Sequence, residues 1–234
     1  MSSPIGALAY TFWNLYARVY DTLLMFRPYQ CMLTEAADSV GLPAGSRVLD
    51  AGCGTGNLTR PLGERGYQVL ALDSSPHMLQ RARMKHPHLQ FQSGDLGGVL
   101  PFPSESFDAI TCSNVLYTLP DPAAALQEFR RVLRPGGKLV VTNPVPGCRA
   151  EEILQHEWRL SSLPSRLRLL TGLPGILMLL IFNRFLLTPE RRARLYCPDR
   201  RELEQVLEQA GFRAREVRRV YADQSWLVGA EAGS

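Results

Sequence analysis

The stretch Asp50-Ala51-Gly52-Cys53-Gly54-Thr55-Gly56-Asn57 sets a carboxylate at the end of an apolar run, with three alternating glycines behind it. Glycines so spaced let a backbone turn sharply and let a ligand approach without Cβ obstruction. The spacing matches neither familiar phosphate cradle. GxGxxG would need glycine at 57, where Asn57 stands, and the Gly-Lys-Ser/Thr of a Walker loop is absent. Asp73 follows about 20 residues beyond the turn, where an α/β sheet offers a carboxylate to a ribose diol. A third group, Gly94-Asp95-Leu96, offers a carboxylate to an adenine amino group and a backbone to a ring nitrogen. Each acid alone is compatible with helix capping. At three successive strand ends they form a ligand site, because ligands of open α/β sheets bind outside the carboxyl ends of the strands.

Those strand ends must be positioned by a regular alternation, and the sequence supplies one. Apolar strands 47–51, 67–73, 89–93, 107–113 and 138–143 are separated by amphipathic helices 57–65, 76–85 and 122–133. Helix 200–210 then precedes two strands, about 212–221 and 224–230, which Ala222-Asp223 joins so tightly that they must pair antiparallel. The expected architecture is α/β: a Rossmann-like, seven-stranded, mostly parallel sheet with helices on both faces, an antiparallel C-terminal hairpin and a helical cap insertion. Four segments follow: 1–46, a helical N-terminal cap broken at Arg27-Pro28; 47–143, the ligand-binding core; 144–198, an apolar, arginine-rich insertion over the substrate; and 199–234, the completing helix and hairpin.

With 234 residues, 45% hydrophobic and 21% charged, the chain fits one globular domain with decorations. The N-terminus has no basic residue before Arg18 and no cleavage pattern, so the expected location is the cytoplasm. Five cysteines, Cys31, Cys53, Cys112, Cys148 and Cys197, never form CxxC, which argues against a disulfide framework and a zinc site; no metal is expected. The net charge of +4 is unevenly spread: nine arginines lie between Arg159 and Arg201, against Glu190 and Asp199 alone. A solvated face accounts for such a cluster as well as a binding surface does.

The motifs VLDAGCGTGN (48–57), LALDSSPHML (70–79), GDL (94–96), FDAITCSNVLYTL (107–119) and LRPGGKLVV (133–141) together resemble the class I S-adenosylmethionine-dependent methyltransferases, in the branch that includes quinone, sterol and small-molecule enzymes. The resemblance runs from Arg47 to Asn143, with looser agreement over Tyr16 to Asp21 and the hairpin. It implies S-adenosylmethionine as cofactor and S-adenosylhomocysteine as product. It also implies that Asp50, Gly52, Gly54 and Gly56 hold the methionine end, Asp73 the ribose, and Asp95 and Leu96 the adenine, with Met78 on the ring and the Ser113 backbone near the amino group. Tyr16, Tyr20, Asn57 and Ser74 complete the implied cofactor set. Helix-to-sheet packing explains Met78 equally well.

A sulfonium methyl is electrophile enough, so a protein need only align a nucleophile and exclude water. A base matters where the acceptor must lose a proton, and Tyr20, Tyr117 and His156 are the candidates by position. The Trp13, Tyr16 and Tyr20 stripe also reads as core. The apolar run that starts at Leu173 is too short for a bilayer span of about 20 residues and is interrupted by Pro174, Gly175 and Arg184. Two uses remain: lining an acceptor pocket, or lying in a membrane interface with arginines against anionic headgroups across 159–201. Both imply a hydrophobic, lipid-like, isoprenoid or aromatic acceptor, methylated on oxygen, nitrogen or carbon. Nucleic-acid methylation is the rival, but Ser113-Asn114-Val115-Leu116-Tyr117 lacks the Asn/Asp-Pro-Pro-aromatic motif and the arginines alternate with aliphatics. A sensor that binds the cofactor without turnover, and aminopropyl transfer, are the other readings the fold allows.

Overall fold

The computed structural model describes residues 16–162, 169, 171–186 and 195–233, and the side chains of 182–186 are not among what it describes. Trp13 and the insertion's Arg166, Arg168, Glu190, Arg191, Arg192 and Arg194 lie outside these residues. Seven strands, β1 (Arg47–Ala51), β2 (Gln68–Asp73), β3 (Gln90–Ser93), β4 (Phe107–Ser113), β5 (Leu133–Pro144), β6 (Phe212–Val220) and β7 (Ser225–Ala232), form one sheet in the order β3-β2-β1-β4-β5-β7-β6. All neighbours pair in parallel except β7, which runs antiparallel between β5 and β6.

Side chains alternate across the sheet, as a period of two requires. Leu49, Ala51, Ile110, Cys112, Leu139 and Val141 face one core, closed by Leu126 and Phe129 of α4 (Pro122–Val132) and Leu203 and Leu207 of α7 (Arg200–Gln209). Val48, Ala109, Val140 and Leu227 face the other, closed by Tyr29, Met32 and Ala36 of α1 (Arg27–Asp38) and Leu62 of α2 (Thr59–Glu64). Helix starts are written locally. Ser75 accepts from the Met78 amide at the start of α3 (Pro76–Lys85), Asp121 caps α4, and Asp199 with Glu202 forms a capping box on α7. Pro28, Pro76 and Pro122 occupy first turns, where a missing N–H costs nothing.

Three boundaries differ from the sequence expectation. Helix α2 begins at Thr59 rather than Asn57, because Gly52, Gly54 and Gly56, all at positive φ, carry the turn two residues further. Strand β5 begins at Leu133, which already pairs with Phe107 ahead of a bulge. The hairpin turns over Tyr221–Gln224 instead of two residues, with Tyr221, Ala222 and Asp223 all left-handed.

The insertion supplies α5 (Ala150–Leu160) and α6 (Leu173–Leu186). Helix α6 crosses the 3-10 turn Asp21–Met25 so closely that a Cβ at Gly175 would lie 2.6 Å from Thr22 Oγ1. The glycine that interrupts the hydrophobic run is therefore what lets the helix seat. At 14 residues α6 is about 21 Å long, short of the ~30 Å bilayer core. Among the described residues no helix is long and apolar enough to cross a membrane. Buried Glu157 anchors α5: its carboxylate accepts the Arg27 amide at the start of α1 (2.8 Å) and the Ser161 hydroxyl (3.0 Å).

Candidate functional site

The glycine turn leaves β1 at the middle of the sheet and is held from below. Asp50, 1% exposed, shares a face with Thr111 of β4, whose hydroxyl donates to it at 3.0 Å, while Thr59 at the head of α2 donates at 2.6 Å. Burial lifts the Asp50 carboxyl to about 6 despite both hydroxyls, and the neighbouring charge of Asp73 pushes the same way. Asp50 thus ties β1, β4 and α2 together beneath the turn. A Cβ at Gly52 would fall 2.4 Å from Val115 Cγ2, so the turn packs against the segment after β4.

Asp73 ends β2 beside this turn. One carboxylate oxygen accepts the Gly54 amide and the other the Ser75 amide, both at 2.8 Å. Burial raises its carboxyl above the usual range, and the amides of Ser75, Gly54 and Ser74 pull it back. Each oxygen of such a carboxylate has a further lone pair, which is what a vicinal diol requires. Exposed Ser74 follows, and exposed Asp95 accepts the local Gly97 amide at 2.9 Å. Leu96 and Met78 are buried, each packed into one of the two cores. The Ser113 hydroxyl bonds Thr142 (2.8 Å), its ladder partner on β5.

The N-terminal segment closes over the turn. A Cβ at Gly54 would meet Tyr20 Cε1 at 3.4 Å. Asp21 receives Lys85 Nζ (2.8 Å), Thr55 Oγ1 (2.5 Å) and, at 3.4 Å, Arg81. Burial alone would raise the Asp21 carboxyl, but Lys85, Thr55 and Arg81 hold it below its ordinary value. Lys85 also reaches Asn57 Oδ1 (2.7 Å), whose amide nitrogen points to the Tyr29 hydroxyl (3.5 Å), itself 3.4 Å from the Tyr20 hydroxyl.

Next to the turn opens a cavity of about 170 Å³. Its wall carries five tyrosines, Tyr16, Tyr20, Tyr29, Tyr117 and Tyr221, and α5 and α6 line it with Ile153, Leu154, Ile176 and Leu179. Tyr16 and Tyr20 meet edge to face at 5.6 Å between centroids, and Tyr29 and Tyr221 lie 5.8 Å apart. Burial holds all five phenols above their ordinary range, so they remain protonated and act as donors at neutral pH. Tyr221 reaches the wall from a left-handed backbone (φ 56°) that an aromatic residue rarely adopts.

The structure therefore brings together Asp50, Gly52, Gly54, Asn57, Asp73 and Tyr20, and gathers Tyr16 and Tyr117 into the adjoining cavity. It does not bring His156 there. Ala150, Ile153 and Leu154 of α5 turn inward, and His156 falls on the exposed side of the same helix. Sequence reasoning missed Tyr29, Tyr221, Asn114 and the bonds of Lys85 and Thr55 to Asp21. Only the isolated Lys85 of a chain with 26 basic residues, nearly all arginine, hinted at a special position.

The sheet order, with β7 reversed, and the glycine turn beside Asp73 are those of the Rossmann-like fold seen in solved methyltransferases. The family described as methyltransferase domain matches residues 49–141. Over 104 residues the chain is 45% identical to a demethylmenaquinone methyltransferase of Renibacterium salmoninarum, covering 44% of this chain and 44% of that protein. Over 127 residues it is 34% identical to a ubiquinone biosynthesis O-methyltransferase of Xanthomonas oryzae, covering 52% and 53%. The matches thus span about half the length of these curated relatives. A S-adenosylmethionine-dependent methyltransferase structure from Aquifex aeolicus shares the fold at a TM-score of 0.60 and 20% identity, over 90% of this chain and 92% of that one.

Proposed function

We propose that this chain transfers the methyl group of S-adenosylmethionine to a hydrophobic, ring-bearing small molecule held in the tyrosine-walled cavity. The observation that carries the reading is the double position of Tyr20, which walls the cavity and lies over Gly54 of the cofactor turn. A ligand on the turn and a ligand in the cavity would meet at this ring. The names of the two curated relatives, a demethylmenaquinone methyltransferase and a ubiquinone biosynthesis O-methyltransferase, agree with an apolar cavity of this kind.

Asp73 takes the ribose hydroxyls with the lone pairs its amide donors leave free, and the turn glycines and Asp50 shape the seat of the methionine end. Asp95 and Leu96 flank the adenine, with Ser74, Met78, Asn57, Tyr16 and the Ser113 backbone completing the seat. When bound, the cofactor supplies a methyl carbon that a nucleophile attacks as the carbon–sulfur bond breaks and the sulfur keeps the electron pair. The chain's own part is to hold the acceptor in line and keep water out, tasks suited to five neutral phenols and an aliphatic wall. Tyr20 and Tyr117 are the acceptor's hydrogen-bonding partners; His156, on the outer face, has no part.

Helices α5 and α6 expose Trp158, Leu160, Leu173, Leu177, Met178 and Ile181, with Arg159 beside them. Exposed apolar groups next to cationic ones suit the interface of an anionic membrane, where a lipid-like acceptor would be collected by a cytoplasmic enzyme. The test is incubation of the purified protein with methyl-labelled cofactor and separate lipid and polar cell extracts. Label in the lipid fraction supports the reading. Label in a polar product removes the hydrophobic acceptor, and no label in either fraction, with the cofactor bound, makes the protein a sensor.

A further inference from the structure

Asn114 follows Ser113 at the carboxyl end of β4, and three features set it apart. Its backbone is left-handed (φ 54°), a conformation that asparagine tolerates better than most residues. Its amide N–H is fixed to the Thr142 carbonyl at 2.8 Å, and its side-chain nitrogen faces Met32 Sδ at 3.7 Å. Its Oδ1 is buried without a hydrogen-bond partner, and no other described residue of the cavity wall has a buried polar side-chain atom in that state. A buried acceptor left unmatched is unfavourable, and in native proteins such atoms are rare and call for a partner.

We infer that Asn114 is the positioning residue for the acceptor, its Oδ1 accepting a hydrogen bond from a ring hydroxyl. The inference rests on the proposed acceptor cavity and narrows the substrate class to flat rings that carry a hydroxyl donor. The tyrosine rings supply the flat apolar walls. Their hydroxyls can donate, whereas Asn114 Oδ1 is a pure acceptor and so distinguishes a hydroxyl from its methyl ether. The discrimination comes from the mismatch: an ether lacks the donor and leaves the acceptor buried and unpaired.

The test uses 1-naphthol and 1-methoxynaphthalene, titrated calorimetrically into the full chain with S-adenosylhomocysteine present, so that no methyl transfer is needed. Wild type should prefer the naphthol by about tenfold, the worth of one net hydrogen bond. Asn114→Gly accepts the left-handed backbone without strain and removes the carboxamide, so it should abolish the preference. Asn114→Asp retains an acceptor oxygen and should keep it. S-adenosylhomocysteine affinity should be the same in wild type and Asn114→Gly, which also reports that the variant is folded. No naphthol binding by wild type, equal binding of the pair, or a preference surviving in Asn114→Gly would overturn the inference. So would a loss confined to S-adenosylhomocysteine affinity, which would assign Asn114 to the cofactor. Failure of methyl transfer in the extract experiment, with the naphthol preference intact, would remove the enzyme reading and leave this one standing.

Discussion

Lys85 Nζ, at the last turn of α3, lies 2.8 Å from the Asp21 carboxylate and so fastens the N-terminal segment to α3. Tyr20, the preceding residue, is the ring over Gly54. Both charged side chains are only about a quarter exposed (26% and 21%), so water screens this pair less than the surface pairs of α2 or α7. Removing either partner should lift the Tyr20 cover. Lys85→Met and Asp21→Asn should each weaken S-adenosylmethionine binding by about tenfold, since a charge-assisted hydrogen bond contributes roughly 1.5–3 kcal/mol. In the double variant the loss should be no larger than in either single one, and fully additive losses by calorimetry would show that the pair does not act as a unit.

Gly52 tests how tightly the turn is packed. Alanine there meets two obstacles, a φ of +76° and a Cβ 2.4 Å from Val115 Cγ2. Gly52→Ala should destabilise the protein, and adding Val115→Ala should recover the steric part only. About 1–2 kcal/mol of left-handed strain should persist in the double variant. Urea denaturation of the two variants reads the difference, and an unrecovered loss would mean that backbone strain, not Val115, sets the cost.

Asp50 carries a pH signature. Its carboxyl titrates near 6 in the fold, against an ordinary 3.8, because it is buried. The native state therefore binds the proton more tightly than the unfolded chain. Its stabilising contribution is complete below about pH 4, declines as pH rises to about 6, and is flat above. The span is on the order of 3 kcal/mol. In Asp50→Asn this slope should disappear, so the variant should gain on wild type between pH 4 and 7. Urea midpoints that run parallel across that range would contradict the assignment. Asp73 shifts in the same direction and accounts for slope that remains.

Much of this fold could be read from local signals. Pro76 and Pro122 mark helix starts, so α3 and the beginning of α4 fall where the spacing puts them, and the apolar run Phe107 to Ser113 is β4 without change. The glycine turn was legible for the same reason, since its residues are contiguous in the chain. The cavity was not. Tyr29, Asn114 and Tyr221 come from a helix, a strand end and a hairpin turn, and nothing local distinguishes them from packing residues. His156 is exposed, as a lone histidine among polar neighbours usually is, and belonging to the insertion says nothing about which side of α5 a residue occupies. Gly175 misled because a close helix crossing and a helix break have the same spelling.

The exposed face of the insertion yields a separate prediction. Leu173, Leu177 and Ile181 are each more than half exposed, so changing all three to serine should barely alter stability. It should lower partition onto vesicles containing anionic phospholipid by at least about tenfold, because each leucine buried in the acyl boundary contributes up to roughly 1.5–3 kcal/mol. Sedimentation with vesicles measures this. Equal pelleting of wild type and variant would assign the face to something other than a membrane.

The most direct test of the whole account is calorimetric titration of S-adenosylmethionine into the wild type and into Asp73→Ala. Asp73 joins the turn to β2 through the Gly54 and Ser75 amides, and in the proposed function its remaining lone pairs take the ribose hydroxyls. The account predicts saturable one-to-one binding by the wild type and a loss of about a hundredfold or more in the variant, as two charge-assisted hydrogen bonds would give. A wild type that does not bind S-adenosylmethionine would contradict the central claim.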